Sequence, residues 1–406
     1  MPVTQEPVVT ENIPVAPVDL GPRRSVAFIG SECYPFAKTG GLGDVMSALP
    51  KSLAKLNLDV KVILPRYKCI PWKYQEKMEY RGSFYMNLCA DGRQYYVGIM
   101  EYQEDGVVYD FIDNDDFFSW GNPYTNLIDD IPKFCFFAKA SLAALNYLDW
   151  TPDVVHCHDW QAALVPLYLR TCFKDTNVGR ASAVLTIHNL KFQGIYDRKM
   201  IQYWSGLPDY VFNKDCLIQN WLDANMLKGG IAYANKVTTV SNTYAWEIQT
   251  EEYGEGLAEH LRYHSDKIRG IVNGIDTDNW NPATDKLLAA NYDAETAIAN
   301  KKINKKTFIR DFEEADRSAE DNLNQFYNNL SDSIDLIRKD SPDCRIAIMT
   351  LYNPYRNMDY AITADGKTIN IGQYAEEKIN QANTIIQTIC REKDIGRLLR
   401  CICIVK

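Results

Sequence analysis

The run Phe36-Ala-Lys-Thr-Gly-Gly-Leu-Gly-Asp-Val45 has the composition of a turn that holds an anion. Glycines at 40, 41 and 43 let backbone N–H groups approach a ligand closely, and Lys38 adds a full positive charge beside them. Asp159 follows His156-Cys157-His158, and His188 ends Thr186-Ile187-His188. A carboxyl and an imidazole are groups that position a hydroxyl or offset charge developing in a reaction. Glu32 lies just before the glycine-rich run, and Asn189 and Gln193 follow His188. Plainer roles fit the same residues. Lys38 and Glu32 suit a solvated loop, Asp159 suits a helix N-cap, and a strand-end histidine is commonly structural. His156, His158 and Asp159 also read as a metal set, as do His260 and His264 four apart on a helix.

Strands and helices must place these residues. Ser25–Gly30 is apolar and β-branched, as a buried parallel strand is. Val45, Leu49, Leu53 and Leu56 recur at helical spacing, with Pro50 inside the pattern predicting a kink. Further strands are expected at 58–64, 107–113, 152–157, 182–188, 236–241 and 269–272, and helices at 42–56, 129–148, 160–173, 221–234 and 243–263. Apolar strands alternating with helices predict an α/β fold, a doubly wound parallel sheet covered on both faces. Ligands of such sheets bind beyond the C-terminal strand ends. The Lys38 turn, Asp159 and His188 each follow a strand, which places them on one edge and in one site.

Composition narrows the class. Hydrophobic residues make up 46% and charged residues 24% of 406, ordinary for a soluble globular protein. The net charge of −9 argues against nucleic acid or an anionic membrane as partner. No window of 18 apolar residues occurs, and the start has no basic-then-apolar signal peptide. Eleven cysteines at irregular spacing, several within apolar runs (Cys157, Cys344, Cys401, Cys403), suit reduced thiols and a cytoplasmic location. Residues 1–22, rich in Pro and Val, read as an extended flexible tail.

The glycine-rich run resembles the start of bacterial glycogen synthases and plant starch synthases. Four more segments extend the resemblance in order: Asp153-Val-Val-His-Cys-His-Asp-Trp-Gln161, Thr186-Ile-His-Asn-Leu-Lys-Phe-Gln-Gly-Ile-Tyr196, Lys236-Val-Thr-Thr-Val-Ser241 and Asn273-Gly-Ile-Asp-Thr-Asp-Asn-Trp-Asn-Pro282. It covers about residues 23–305. Asn242 and Trp246 depart from it, standing where such enzymes usually have proline and a basic residue. The resemblance implies a retaining glucosyltransferase that moves glucose from ADP-glucose to the non-reducing end of an α-1,4-glucan, with no cofactor and no metal. It implies Asp159 and His188 as catalytic residues. Lys38, Gly40, Gly41, Glu32, Asn189, Gln193 and Tyr124 become substrate-binding residues, Tyr124 as a ring that stacks on sugar in the loop Trp120-Gly-Asn-Pro-Tyr124.

Such enzymes pair two doubly wound domains across a cleft, the GT-B arrangement. The second carries a Lys/Arg pair, a late Glu-containing motif and another glycine-rich turn. The expectation is that this chain holds the acceptor-side domain over 23–305 and lacks the donor-side domain, which makes its activity doubtful. The alternative is a non-catalytic glucan-binding protein or a truncated, fused pseudo-enzyme. Residues 306–406 are expected to form a short, incomplete, non-catalytic α/β segment, with one or two helices over 311–339, another at 373–391 and a strand near 344–353. It faintly resembles a fragment of a GDSL/SGNH-type esterase but has neither that family's nucleophile motif nor any histidine after His264.

Overall fold

The structure is a computed structural model that describes residues 23–119, 122–340, 347–349, 351, 361–364, 366–393 and 396–398. The expected N-terminal tail, Trp120, Cys344, Cys401, Cys403 and most of the strand expected near 344–353 lie outside the described residues. The chain divides into two compact units between Asp276 and Thr277. The boundary expected at 305/306 falls within a helix of the second unit, Ala297–Asp340.

The first unit holds β1 (Ser25–Ile29), β2 (Asp59–Pro65), β3 (Glu79–Asn87), β4 (Gln94–Glu104), β5 (Val107–Asp113), β6 (Val154–His158), β7 (Ser182–Ile187), β8 (Ile195–Asp197), β9 (Asp223–Asn225), β10 (Lys236–Thr239) and β11 (Ile268–Gly270). Nine of them form one sheet in the order β11-β10-β7-β6-β1-β2-β5-β4-β3, while β8 and β9 form a small antiparallel pair. Neighbouring residues Phe28 and Ile29, and Val62 and Ile63, are all buried. Both faces of the central strands are therefore covered, which is why these strands read as continuous apolar runs.

All seven expected strands are present, but the sheet is mixed. β3 and β4 add an antiparallel edge that the apolar-run reading did not anticipate. β3 is mostly exposed or half-buried, and β4 carries a largely buried run, Tyr95–Met100, that the sequence reading did not take as a strand. The missed cue is Asp105-Gly106, which joins β4 to β5 with both residues at positive φ, 52° and 76°. The expected helix at 243–263 is two helices, Asn242–Glu247 and Ala258–Tyr263. Glu255 and Gly256, with φ of 46° and 79°, break it. The expected helix at 160–173 is likewise split, into Asp159–Ala162 and Val165–Arg170, and the one expected at 221–234 begins only at Met226, after β9. Pro50 sits inside the helix Gly41–Lys55 without ending it.

The topology decides where a ligand can sit. β1 pairs in parallel with β2 on one side and β6 on the other. From β1 the chain passes to β2, crosses to the edge strand β3 and comes back through β4 to β5 beside β2, then returns to β6 and winds the opposite way through β7, β10 and β11. Right-handed crossovers in opposite directions put their helices on opposite faces and open a crevice between β1 and β6 at their C-terminal ends.

The second unit contains the 44-residue helix Ala297–Asp340, the helix Ile371–Glu392 and the hairpin Ala361–Ala364 with Lys367–Asn370. Ala347–Met349 pairs in parallel with Gly396–Leu398. The absence of Gly and Pro from Ala283 to Ser341 allows so long a helix. Phe312 packs edge-on against Tyr374 at 4.6 Å, and Lys378 pairs with Asp316 at 2.7 Å, joining the two helices.

Candidate active site

The turn after β1 is a hydrogen-bonded loop. The Cys33 amide donates to Ala37 O at 2.8 Å, and the Tyr34 amide donates to Gly43 O at 3.0 Å. Glu32, 3% exposed, holds the far side. Its carboxylate accepts from Thr39 N (2.5 Å), Thr39 Oγ1 (2.7 Å), Gly40 N (3.0 Å) and the Tyr124 hydroxyl (2.6 Å). Burial beside Glu32 pushes the Tyr124 hydroxyl up, so it stays a donor. Ser31 Oγ lies 2.7 Å from the same hydroxyl. A Cβ added at Gly40 or Gly41 would meet nothing within 4 Å, whereas one at Gly43 would lie 2.8 Å from Lys38 Cγ. Gly40 and Gly41 thus border open space at the helix start, and Gly43 makes room for Lys38. Lys38 Nζ pairs with Asp44 at 2.7 Å, in the first turn of that helix.

Asp159 stands across the β1–β6 crevice. It has φ of 56°, left-handed for a residue that is not glycine. It does not cap the short helix Asp159–Ala162; His158 occupies that position. Instead its Oδ1 accepts from the His188 amide at 2.7 Å. The end of β6 is thereby tied to the end of β7. Burial raises the Asp159 carboxyl to about 7, the His188 and Asn189 amides pull it down, and Glu32 raises it further. Burial lowers the His188 imidazole to about 4, with Glu32 partly opposing. The turn, Asp159 and His188 follow the adjacent parallel strands β1, β6 and β7 and so stand at one edge of the sheet.

The remaining expected residues line or support this edge. Asn189 is exposed, and its side-chain oxygen accepts from the Lys191 amide at 3.0 Å. Gln193 is buried, accepting from Asn225 Nδ2 at 2.6 Å and donating to Glu255 O at 2.9 Å. Two supports escaped the sequence reading. The Tyr244 hydroxyl accepts from the Leu190 amide at 3.1 Å, holding the loop after His188. Ser241 caps the helix Asn242–Glu247 through Tyr244 N, so the unusual Asn242 leaves the cap intact, and Trp246 is exposed. His260 Nε2 meets Lys228 O at 3.1 Å. Among the described residues no group of three or more His, Cys, Asp or Glu is arranged to hold a metal.

The Gln193-Gly194 and His158-Asp159-Trp160 segments fit together physically. Gly194 has φ of 62°, and a Cβ there would lie 2.4 Å from Trp160 Cε3. Gly194→Ala is expected to destabilise the first unit by about 2 kcal/mol, from overpacking and left-handed strain together. Urea unfolding measures it; a loss under about 0.5 kcal/mol would mean that the ring moves aside freely.

Asp159 carries a second expected result. Its folded value of about 7 exceeds its ordinary 3.8, so its protonated form favours the folded state. That stability is full below the ordinary value and is lost as pH rises through 7. Asp159→Asn should therefore exceed the parent protein in stability by about 1–3 kcal/mol at pH 8, the gap closing near pH 4. Denaturant melts across this range test it; a gap that is constant with pH would refute a raised carboxyl.

A glycine-rich turn after β1 and, after β6, a carboxyl bonded to the His188 amide, at the switch point of a doubly wound sheet, define the class, an α/β protein. The family model for the starch synthase catalytic domain matches residues 25–263, and the chain belongs to that family. A glycogen synthase of Lachnospira eligens is 48% identical over 283 residues, 70% of this chain and 59% of that protein. One of Clostridium beijerinckii is 42% identical over 283 residues, 69% of this chain and 58% of that protein. The chain thus spans a little under three fifths of the relatives it matches. The catalytic domain of starch synthase IV from Arabidopsis thaliana, solved with ADP and acarbose bound, superposes with a TM-score of 0.65 at 26% identity, covering 93% of this chain and 74% of that one. Among the described residues no helix is long and apolar enough to cross a membrane.

Proposed function

We propose that this chain carries the acceptor-side catalytic half of a cytoplasmic glycogen or starch synthase, which moves glucose from ADP-glucose to an α-1,4-glucan with retention of configuration. The observation that carries the reading is the convergence at the β1–β6 crevice. The glycine-rich turn, Asp159 and His188 follow the adjacent strands β1, β6 and β7, and Asp159 is bonded to the His188 amide. The open backbone at Gly40 and Gly41, with Lys38 beside it, suits a diphosphate. Asp159 and His188 suit the sugar under transfer, whose transition state carries positive charge at the anomeric carbon. Glu32 and Gln193 act by positioning, the first holding the turn and Tyr124, the second holding the loop after His188. The Arabidopsis protein's ADP and acarbose support a nucleotide and a glucan-like sugar as ligand classes.

The length of chain matched favours a second reading, a glucan-binding protein without transfer activity of its own. Both readings require a glucan at this edge. Titration with a linear α-1,4-glucan oligosaccharide tests them together. Binding that falls about tenfold in His188→Ala, with folding unchanged, supports a glucan at this edge. Binding that is absent from the parent, or unmoved in the variant, would overturn it.

A further inference from the structure

His158 has no role in the mechanism above, yet it touches the residue that does. Its Nδ1 lies 3.0 Å from His188 Nε2. The ring is fully buried, stacked on Phe28 and His188 with centroids 5.8 Å and 5.3 Å away, and tilted against His156 at 4.3 Å. Its other nitrogen, Nε2, is buried with no hydrogen-bond partner. His156 does not supply one, since its Nε2 is 2.6 Å from Thr186 Oγ1, which in turn lies 2.6 Å from Thr238 Oγ1.

Burial keeps both His158 and His188 neutral near pH 7. A neutral imidazole has one N–H and one lone pair, so in the 3.0 Å contact one ring donates and the other accepts. If His188 donates, His158 must carry its proton on Nε2, an N–H buried with nothing to accept it. If His158 donates from Nδ1, its buried Nε2 is a bare lone pair. Buried orphan N–H groups are the rarer and costlier case. The hydrogen-bond count therefore selects the second arrangement.

We infer that His158 is a positioning residue that donates its Nδ1–H to His188 Nε2 and so holds the His188 proton on Nδ1. Among the described residues His188 Nδ1 has no hydrogen-bond partner and, unlike His158 Nε2, is not buried. The site then offers a fixed N–H donor at that point, and the ligand group it takes is an oxygen acceptor. That this acceptor is a sugar hydroxyl rests on the proposed function; the proton placement does not.

The chain has five histidines, so 15N-histidine labelling with long-range proton–nitrogen correlation resolves each ring. The His188 signals are assigned by their loss in His188→Gln. In the parent protein at neutral pH, His158 and His188 should both show the Nδ1–H pattern. His158→Phe keeps a stacked ring but removes the donor, and His188 should switch to the Nε2–H pattern. His158→Asn places an amide N–H near the lost Nδ1, and the Nδ1–H pattern should return. An Nε2–H pattern for His188 in the parent overturns the inference by itself, even if no variant folds. So does an unswitched His188 in a folded His158→Phe protein, or a switch in both variants, which would trace the effect to the ring rather than the donor. None of these readouts needs a glucan or a sugar nucleotide, so their failure and that of the proposed function are separable.

Discussion

A polypeptide of these 406 residues assayed alone is expected to incorporate glucose from ADP-glucose at about 0.1 s⁻¹ or less, at least 100-fold below an ordinary enzyme turnover. The leaving diphosphate needs several preorganised positive groups, and the loss of even one such donor costs about 100- to 1,000-fold in rate. Around the β1–β6 crevice the basic group of the glycine-rich turn is Lys38, and its charge is already shared with Asp44 at 2.7 Å. The resemblance implies further donor-side groups in a second domain, and this chain matches 59% of the length of the Lachnospira protein. Water at an open edge weakens the contacts that remain. Glucan binding should survive, because Asp159, His188 and Asn189 are in place. The measurement pairs radiolabelled glucose incorporation with glucan binding on one preparation. Turnover of roughly 1 s⁻¹ or more would show that a complete donor site exists within this polypeptide.

Mild acid should unfold the first unit. All five histidines of the chain are held below their ordinary 6.5, chiefly by burial: His156 at about 3, His188 and His260 at about 4, with His158 and His264 also lowered. A group with a lowered folded value contributes stability above its ordinary value that is lost as pH falls through the folded one. The unfolded chain therefore takes up protons from pH 6.5 downward while the folded cluster resists. Asp159 works the other way, gaining stability as pH falls from 7 toward 4. The histidines outnumber it, and the net loss by pH 4 is of the order of 5 kcal/mol. That is comparable with the whole stability of many domains. Urea midpoints should fall steeply between pH 6.5 and 4. A midpoint unchanged over that interval would mean that the His156–His158–His188 cluster is neither buried nor neutral.

The central strands were legible because a strand buried on both faces leaves an unbroken apolar run, as in Ser25–Ile29 and Ser182–Ile187. The antiparallel edge was not: β3 is polar and largely exposed, and the apolar run Tyr95–Met100 of β4 and the Asp105-Gly106 turn that joins it to β5 were the cues. Residue types at strand ends likewise marked Lys38, Asp159 and His188, since in a parallel sheet the order of strand and turn already assigns the edge.

The work each residue does was decided in three dimensions. Asp159 also read as an N-cap; with a left-handed backbone it bonds the His188 amide instead. Glu32 and Tyr124 stand far apart in sequence, and only folding joins them at 2.6 Å. His158 carries no mark that separates it from His156, yet one is bonded to a threonine and the other to His188. The sequence by itself determined the central parallel strands and hence the edge at which Lys38, Asp159 and His188 stand. Hydrogen-bond partners, buried neutral imidazoles and the raised carboxyl were set by the tertiary structure. They depend on which groups from distant segments meet out of water, and a linear order of residues does not contain that distance.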